Sequence, residues 1–345
     1  MLSSVTVLCC QGIFLVFEGW LAKYKRWIPL SHAVGYKLKL KKENESKRIK
    51  YKICSCQHYH LTWHSALQSN TGKAYFSQPW RAMPKDNQEN LDFVKSYQPR
   101  NKEVKHLRIL LHGPVGAGKS SFINSVESVL KGRVTVRALT DAISGSSFTQ
   151  NYTTFKIHKD PESFYSFIFN DIMGFEQETD SGVPVEDVKL ALRGHVKEGY
   201  KFVPGGQLKE TDQDYKLSPT LDDRVHVLVS VIPVNSVSLM SDKVVKKMRD
   251  IRLSASEMGI PQLAILTKVD EAFSKGKKNI DKVYKNKYLK KMVNQFSMLL
   301  GLPPNCIFLV KNYESESNTN DDTDALILSA LRQMITFGED FLDNL

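Results

Sequence analysis

A glycine-rich segment between a predicted strand and a predicted helix constrains the fold of this chain most. Residues 113–120 read GPVGAGKS, which fits the pattern G-x-x-x-x-G-K-[ST]. The apolar run 107–112 before it predicts the strand, and the amphipathic run 119–130 after it predicts the helix. Glycines let main-chain N–H groups approach an anion closely, and a helix N-terminus favours negative charge. The sequence therefore predicts a phosphate-binding loop.

Two side chains at the end of this loop have predicted roles of their own. Lys119 has the length to reach the outer phosphates of a nucleotide, and the Ser120 hydroxyl is a suitable ligand for Mg²⁺. The other residues predicted to contact the nucleotide here are Gly113, Gly116, Ala117, Gly118 and Ser121.

A second motif follows the predicted strand 164–170, which ends in Asp171-Ile-Met-Gly174. An acid at the carboxyl end of a core strand can hold Mg²⁺ directly or through water, and the N–H of Gly174 can donate to a third phosphate. The pattern D-x-x-G is short and common, so its weight comes from its place after an apolar strand and downstream of the loop. Thr149 is predicted to complete the coordination of Mg²⁺, with Thr154 as the alternative.

A third motif, Thr267-Lys268-Val269-Asp270, follows the predicted strand 262–267 and fits [NT]-K-x-D. The Asp270 carboxylate can accept two hydrogen bonds from the N1–H and the exocyclic amine of guanine, a pair that adenine lacks. The stem of Lys268 would pack over the ring. Asn312, after the predicted strand 306–310, has the position of the loop behind the base. The predicted cofactors are therefore GTP or GDP with Mg²⁺.

Phe175 stands directly after Gly174, where many GTPases have a glutamine that orients the attacking water. Phenylalanine cannot orient water, so hydrolysis is predicted to be slow or to depend on a partner, and Glu176 and Glu178 remain open as substitutes. The alternative is an interaction or scaffold protein that holds GTP structurally. An ATP-dependent kinase is less favoured, because nothing resembles an acceptor site.

From residue 106 onward, apolar strands alternate with amphipathic helices, which predicts an α/β fold with a doubly wound, mostly parallel sheet. The predicted strands are 107–112, 152–158, 164–170, 225–232, 262–267 and 306–310. The predicted helices are 90–97, 119–130, 185–197, 237–257, 281–300 and 322–342. Residues 175–223 are predicted to be an insertion between the second and third motifs, and either a solvated loop or a surface for self-association or a protein partner.

The charge is concentrated in the first third of the chain. Residues 1–105 hold 18 basic and 7 acidic side chains, whereas residues 106–345 hold 30 of each, although the whole chain carries +11. This argues against a nucleic-acid-binding protein as a whole. We predict a basic extension of unknown fold over 1–78, a proline-punctuated linker over 79–105 and one domain over 106–345.

The first third offers three further features. The basic stretch 37–52 favours a solvated amphipathic element over contact with a membrane or RNA, and the apolar start 1–17 fits a buried element or a signal segment. Cys54, Cys56, His58 and His60 would share one face of a strand, which fits a polar strand face better than a zinc site.

Only Cys306 lies beyond residue 56, so the main domain has no internal disulfide, as in a reducing compartment. No stretch has the ~20 apolar residues of a membrane-spanning helix.

The run HLRILLHGPVGAGKSSFINSVESVLKGRVTVRAL, with FNDIMGFE, VKEGYKF and DALILSALRQM, resembles the interferon-induced protein 44 family of vertebrates over roughly residues 79–345. The resemblance implies a P-loop GTPase-like domain, GTP binding, a cytoplasmic location and a role in interferon-driven antiviral or immune responses. It places the nucleotide loop on 113–121 and the base-reading motif on 267–270. Larger members of the family carry an N-terminal TLDc domain, which residues 1–78 do not resemble.

Overall fold

The chain falls into two compact units, which divide between Lys73 and Ala74. The computed structural model describes residues 4–9, 34–45, 48–59, 74–135, 150–176, 182–203, 205–273 and 279–345. In the first unit, three antiparallel strands form a sheet in the order β1-β2-β3, with an irregularity between Lys39 and Leu40. These strands are β1 (Ser4–Cys9), β2 (Val34–Glu45) and β3 (Arg48–Tyr59). The predicted basic stretch 37–52 thus spans the β2–β3 hairpin, and residues 54–58 lie on β3.

The second unit is built on a six-stranded sheet in the order β5-β6-β4-β7-β8-β9. All neighbouring pairs are parallel except β5 and β6, which are antiparallel. The strands are β4 (Leu107–His112), β5 (Thr153–His158), β6 (Phe164–Asp171), β7 (Val227–Pro233), β8 (Gln262–Thr267) and β9 (Ile307–Leu309). The predicted doubly wound, mostly parallel α/β sheet is confirmed.

Within the described part of this unit, six helices cover the two faces of the sheet. They are α1 (Asn87–Ser96), α2 (Lys119–Lys131), α3 (Val185–Leu192), α4 (Asp242–Glu257), α5 (Lys287–Leu300) and α6 (Asp321–Asp343). Helices α3, α4 and α5 share one buried apolar core with the sheet, and α1, α2 and α6 share the other. Successive strand residues alternate between the cores, since Ile109 and Leu111 belong to the second core and Leu110 to the first.

Three predicted helices differ most from the structure in their limits. The predicted helix 237–257 is a 3-10 turn over Val234–Leu239 followed by α4, whose cap is Ser241. The predicted helix 281–300 is likewise a 3-10 turn over Ile280–Lys285 followed by α5, capped by Asn286. The predicted helix 185–197 ends at Leu192, and Gly194 follows with a φ of 85°. In each case a cap or a left-handed glycine ends the helix, although the apolar spacing continues beyond it.

Helix α1 lies within the predicted linker 79–105 and packs against α6. The buried carboxylate of Glu339 on α6 accepts hydrogen bonds from the Tyr97 hydroxyl (2.6 Å) and from the Arg100 N–H (2.9 Å). A buried carboxylate with several donors fixes the geometry of the groups around it. The segment 74–105, which belongs to the second unit, is therefore packed against the rest of that unit.

The described part of the insertion 175–223 is held together by a buried carboxylate. Asp187 on α3 accepts a hydrogen bond from the Tyr200 hydroxyl at 2.7 Å and one from the Leu208 N–H at 2.9 Å. Main-chain hydrogen bonds from the Tyr152 N–H to the Tyr200 carbonyl and from the Gly199 N–H to the Tyr152 carbonyl tie this segment to the residue before β5. Leu217 is 72% exposed, so the insertion presents apolar surface as well. Among the described helices, none is long and apolar enough to cross a membrane.

Candidate functional site

The loop between β4 and α2 has a backbone that depends on glycine at two positions. A β-carbon at position 113 would lie 2.0 Å from the Val231 carbonyl oxygen on β7, and the φ of Gly113 is 155°. Gly118 is the N-cap of α2 with a φ of 91°, and a β-carbon there would lie 2.9 Å from the Asn312 side-chain nitrogen. The loop is therefore pressed against its neighbours in a conformation that L side chains rarely adopt.

Two side chains from the far end of the sheet hold carbonyl groups of this loop. The Thr267 hydroxyl donates to the Ala117 carbonyl at 2.6 Å, and the Asn312 amide donates to the Gly118 carbonyl at 3.1 Å. A trans peptide directs its C=O and its N–H to opposite sides. The N–H groups of Gly118 and Lys119 therefore point away from Thr267 and Asn312. Amides turned to one side of a loop favour an anion.

Lys119, the first residue of α2, is only 4% exposed. No described residue forms an ion pair or a hydrogen bond with its ammonium group. A buried ammonium without a partner is costly, and an anion bound beside it would offset that cost. The neighbouring His112 adds no second positive charge. Burial, and secondly the Lys119 charge, lowers the pKa of His112 to about 3, so its ring is neutral.

Two of the three residues predicted to hold Mg²⁺ are brought together, Ser120 at the start of α2 and Asp171 at the end of β6. The Ser120 hydroxyl donates to the Asp171 carboxylate at 2.5 Å, and both residues are buried. A hydroxyl and a carboxylate are oxygen ligands of the kind that Mg²⁺ takes. Thr149 lies outside the described residues. The Thr154 hydroxyl accepts a hydrogen bond from the Asn170 amide at 2.8 Å, so it already has a partner in the β5–β6 pair. Ser121 is half-buried.

The base-reading motif begins at the end of β8. Thr267 serves the loop, as described above. Lys268 has a φ of 56°, which is rare for a side chain other than glycine, and its side chain is exposed. Asp270 is half-buried, and its carboxylate accepts no hydrogen bond from the part of the chain that the structure describes. The Asn312 Oδ1 atom is buried and also has no partner there. Both acceptors thus remain available to a ligand.

The segment after Asp171 lies directly on the phosphate loop. The Phe175 N–H donates to the Gly113 carbonyl at 3.0 Å, and the Val115 N–H donates to the Phe175 carbonyl at 3.1 Å. Together these bonds form a parallel bridge between Pro114 and Phe175. From the sequence, Phe175 is predicted only to be unable to orient water. The main-chain bridge to Pro114 is not predicted, because main-chain pairing outside a strand depends on no particular residue type. This bridge, and the Ser230–His112 hydrogen bond of 2.9 Å beneath it, are site features that sequence reasoning missed.

The strand order β5-β6-β4-β7-β8-β9, with only its first pair antiparallel and the loop at the carboxyl end of β4, defines a P-loop α/β domain of the G-domain type. No protein-family model matches the chain. Interferon-induced protein 44 from Pan troglodytes and from Homo sapiens are both 34% identical to it over 256 residues, which is 74% of this chain and 57% of each relative. Interferon-induced protein 44-like from Homo sapiens is 33% identical over 254 residues, 73% of this chain and 56% of the relative.

Over these matched residues the chain is similar to interferon-induced protein 44 and to its 44-like relative, so the predicted resemblance is confirmed. The chain spans little more than half the length of these curated relatives.

Among solved structures, Toc33 from Arabidopsis thaliana in complex with GDP and Mg²⁺ is 15% identical, with a TM-score of 0.41, over 76% of this chain and 94% of that chain. A probable GTP-binding protein engB is 10% identical, with a TM-score of 0.35, over 69% of this chain and 99% of that chain. The fold class follows from the strand order and not from these likenesses.

Proposed function

We propose that this protein binds a guanine nucleotide with Mg²⁺ and acts as a slow or partner-dependent GTPase switch. The observation that carries the proposal is the burial of the Lys119 side chain, which is 4% exposed and has no acidic partner among the described residues. Lys119 lies at the end of a loop in which the N–H groups of Gly118 and Lys119 point away from Thr267 and Asn312. A polyphosphate supplies the missing negative charge.

The residues present also fit a metal ion. Ser120 and Asp171 would hold Mg²⁺, with Thr149 as the predicted third protein ligand. When bound, Mg²⁺ neutralises charge on the phosphates and stabilises their reactive geometry. Gly113, Gly116, Ala117, Gly118 and Ser121 would surround the phosphates, and the N–H of Gly174 would donate to the third one. Among the described residues, one hydroxyl and one carboxylate come together here, which suits an ion that keeps phosphate and water ligands.

For the base, the proposal rests on the acceptor at Asp270. Its carboxylate is half-buried and not engaged by another described group, as a reader of guanine requires. Lys268 and Asn312 would flank the ring, one from the exposed side and one from the loop behind. Thr267 does not contact the base in this proposal, because its hydroxyl is committed to the Ala117 carbonyl.

Slow hydrolysis follows from Phe175. Its side chain is fully buried, so neither its chemistry nor its position serves an attacking water. A partner would have to supply the missing group, and the insertion 175–223 is the proposed surface for a partner or for self-association. The second candidate, a scaffold that holds GTP without turnover, is favoured by the same burial of Phe175.

The setting of this activity is also proposed. The names of the curated relatives indicate proteins induced by interferon, and we extend that to this chain, with a cytoplasmic role in antiviral or immune responses. The organisation into an extension (1–78), a linker (79–105) and a G-like domain (106–345) stays a prediction.

Titration of the full chain with fluorescently labelled GDP, GTP and ATP tests nucleotide binding. We expect guanine nucleotides to bind and ATP to bind much more weakly. Lys119→Ala should abolish binding, Asp270→Asn should reduce the preference for guanine, and Lys246→Ala, at an exposed lysine of α4, should bind like the wild type. Equal affinity for ATP and GTP in the wild type would refute guanine selection, and no binding of either would refute the whole proposal.

Single-turnover hydrolysis separates the two candidates. Slow release of phosphate from pre-bound GTP, measured with protein in excess, supports a GTPase. Tight retention of intact GTP over the same period supports the scaffold.

A further inference from the structure

The bridge between Phe175 and the phosphate loop is held on three sides. One side is the pair of main-chain hydrogen bonds to Gly113 and Val115. On another side Phe175 bridges to Gly182, where a β-carbon would lie 2.9 Å from the Glu176 nitrogen and 2.8 Å from the Gly174 carbonyl oxygen. Contacts this close leave the backbone of residues 174–176 little freedom.

The third anchor is the Phe175 ring itself. It is fully buried and meets the His112 ring edge-to-face, with 6.0 Å between centroids. The His112 ring is fixed in turn by its 2.9 Å hydrogen bond with Ser230 on β7. Burying a phenylalanine stabilises the folded conformation, and an aromatic pair adds to this. The ring therefore keeps the main chain of Phe175 against the loop.

Gly174 is placed by this arrangement. A β-carbon on it would lie 2.6 Å from the Val115 nitrogen and 2.9 Å from the Pro114 carbonyl carbon, so its backbone touches the loop directly. Its N–H donates to no atom of the described residues. A main-chain donor held against a phosphate loop with no partner of its own is suited to an incoming phosphate oxygen.

We propose that Phe175 is a positioning residue: its buried ring and main-chain bridge hold the Gly174 N–H against the phosphate loop before nucleotide arrives. Residues 174–176 then need no ordering when the third phosphate binds, in contrast to GTPases whose corresponding loop is ordered by that phosphate. The inference rests on the proposed function and specifies how the protein would distinguish GTP from GDP.

The first test compares affinities of the full chain for labelled GDP and for the non-hydrolysable analogue guanosine 5′-(β,γ-imido)triphosphate. Phe175→Ala should weaken binding of the analogue about tenfold more than binding of GDP, because a hydrogen bond to a charged group is lost only for the analogue. Phe175→Leu, which retains a buried apolar side chain, should keep the wild-type ratio.

Phe296→Ala is the matched control, since Phe296 is equally buried in the same apolar core as Phe175 but lies on α5. It should lower stability without changing the ratio of the two affinities. An unchanged ratio in Phe175→Ala, or the same change in Phe296→Ala, would overturn the positioning role. A wild type that binds neither nucleotide would instead overturn the proposed function.

The second test is hydrogen exchange of the wild-type amides at Val115 and Phe175. Both should be protected in the nucleotide-free protein and to the same degree with GDP and with the analogue. Protection that appears only with the analogue would show that the third phosphate orders the segment, which contradicts pre-positioning.

Discussion

Substitution of Gly113 by alanine tests whether the loop is fixed by close approach to the sheet. The new β-carbon would lie 2.0 Å from the Val231 carbonyl oxygen, about 1.3 Å inside the ~3.3 Å at which such atoms meet. The neighbour is main chain in a buried strand, so it cannot turn aside as a flexible side chain can. The φ of 155° adds strain, because L side chains rarely adopt it.

The expected loss is about 4 kcal/mol in the free energy of unfolding, from overpacking of about 1–3 kcal/mol and backbone strain of about 1–3 kcal/mol. For a unit of this size we expect the midpoint of thermal unfolding to fall by roughly 8–16 °C. Urea unfolding followed by circular dichroism measures the same loss at 25 °C.

Gly116→Ala in the same loop is the matched control. Gly116 has a φ of 69°, but nothing lies within 4 Å of a β-carbon there, so only the strain of about 1–2 kcal/mol applies. Equal stability of the two variants would refute the contact with Val231 as the reason for glycine at position 113.

Three further predictions concern buried polar groups. Lys119→Met should raise the free energy of unfolding of the nucleotide-free protein by about 1–2 kcal/mol, since it removes an unpaired buried charge, and a lower value would refute the environment described. Thr267→Val should cost about 1–3 kcal/mol in urea unfolding by leaving a buried carbonyl unsatisfied, whereas Thr267→Ser should cost less. Burial lowers the pKa of His112 to about 3 and of His226 to about 4, so below pH ~6.5 the unfolded chain binds protons that the folded chain does not. Stability should then fall with decreasing pH by about 1.4 kcal/mol per unit for each histidine down to those values, and His112→Gln should reduce the slope.

The strands were predictable where apolar runs have sharp ends. β4 and β8 have the predicted limits to the residue, because charged or turn residues flank mostly apolar runs. Helix starts were harder to predict. Val234 and Val237 continue the apolar spacing of α4 toward the N-terminus, yet they are buried in a 3-10 turn that precedes the Ser241 cap. Spacing alone does not distinguish the two kinds of turn, since both bury the same face.

The site divides in a similar way. Motifs with side-chain chemistry were visible in the sequence, and the structure brings Ser120 to Asp171 and Thr267 to the loop. Contacts made by main chain were not visible. The bridge at Phe175 depends on N–H and C=O groups that every residue carries, so its only trace in the sequence is a phenylalanine where a polar residue was expected.

Thr267 and Asp270 have different roles within one four-residue motif. The Thr267 hydroxyl holds the loop through the Ala117 carbonyl, while the Asp270 carboxylate accepts no hydrogen bond from the described residues. In the proposed site, a change of purine preference can therefore arise at Asp270 without altering the loop that would hold the phosphates. Thr267 has no such latitude, because loss of its hydroxyl alters the loop before it alters the choice of base.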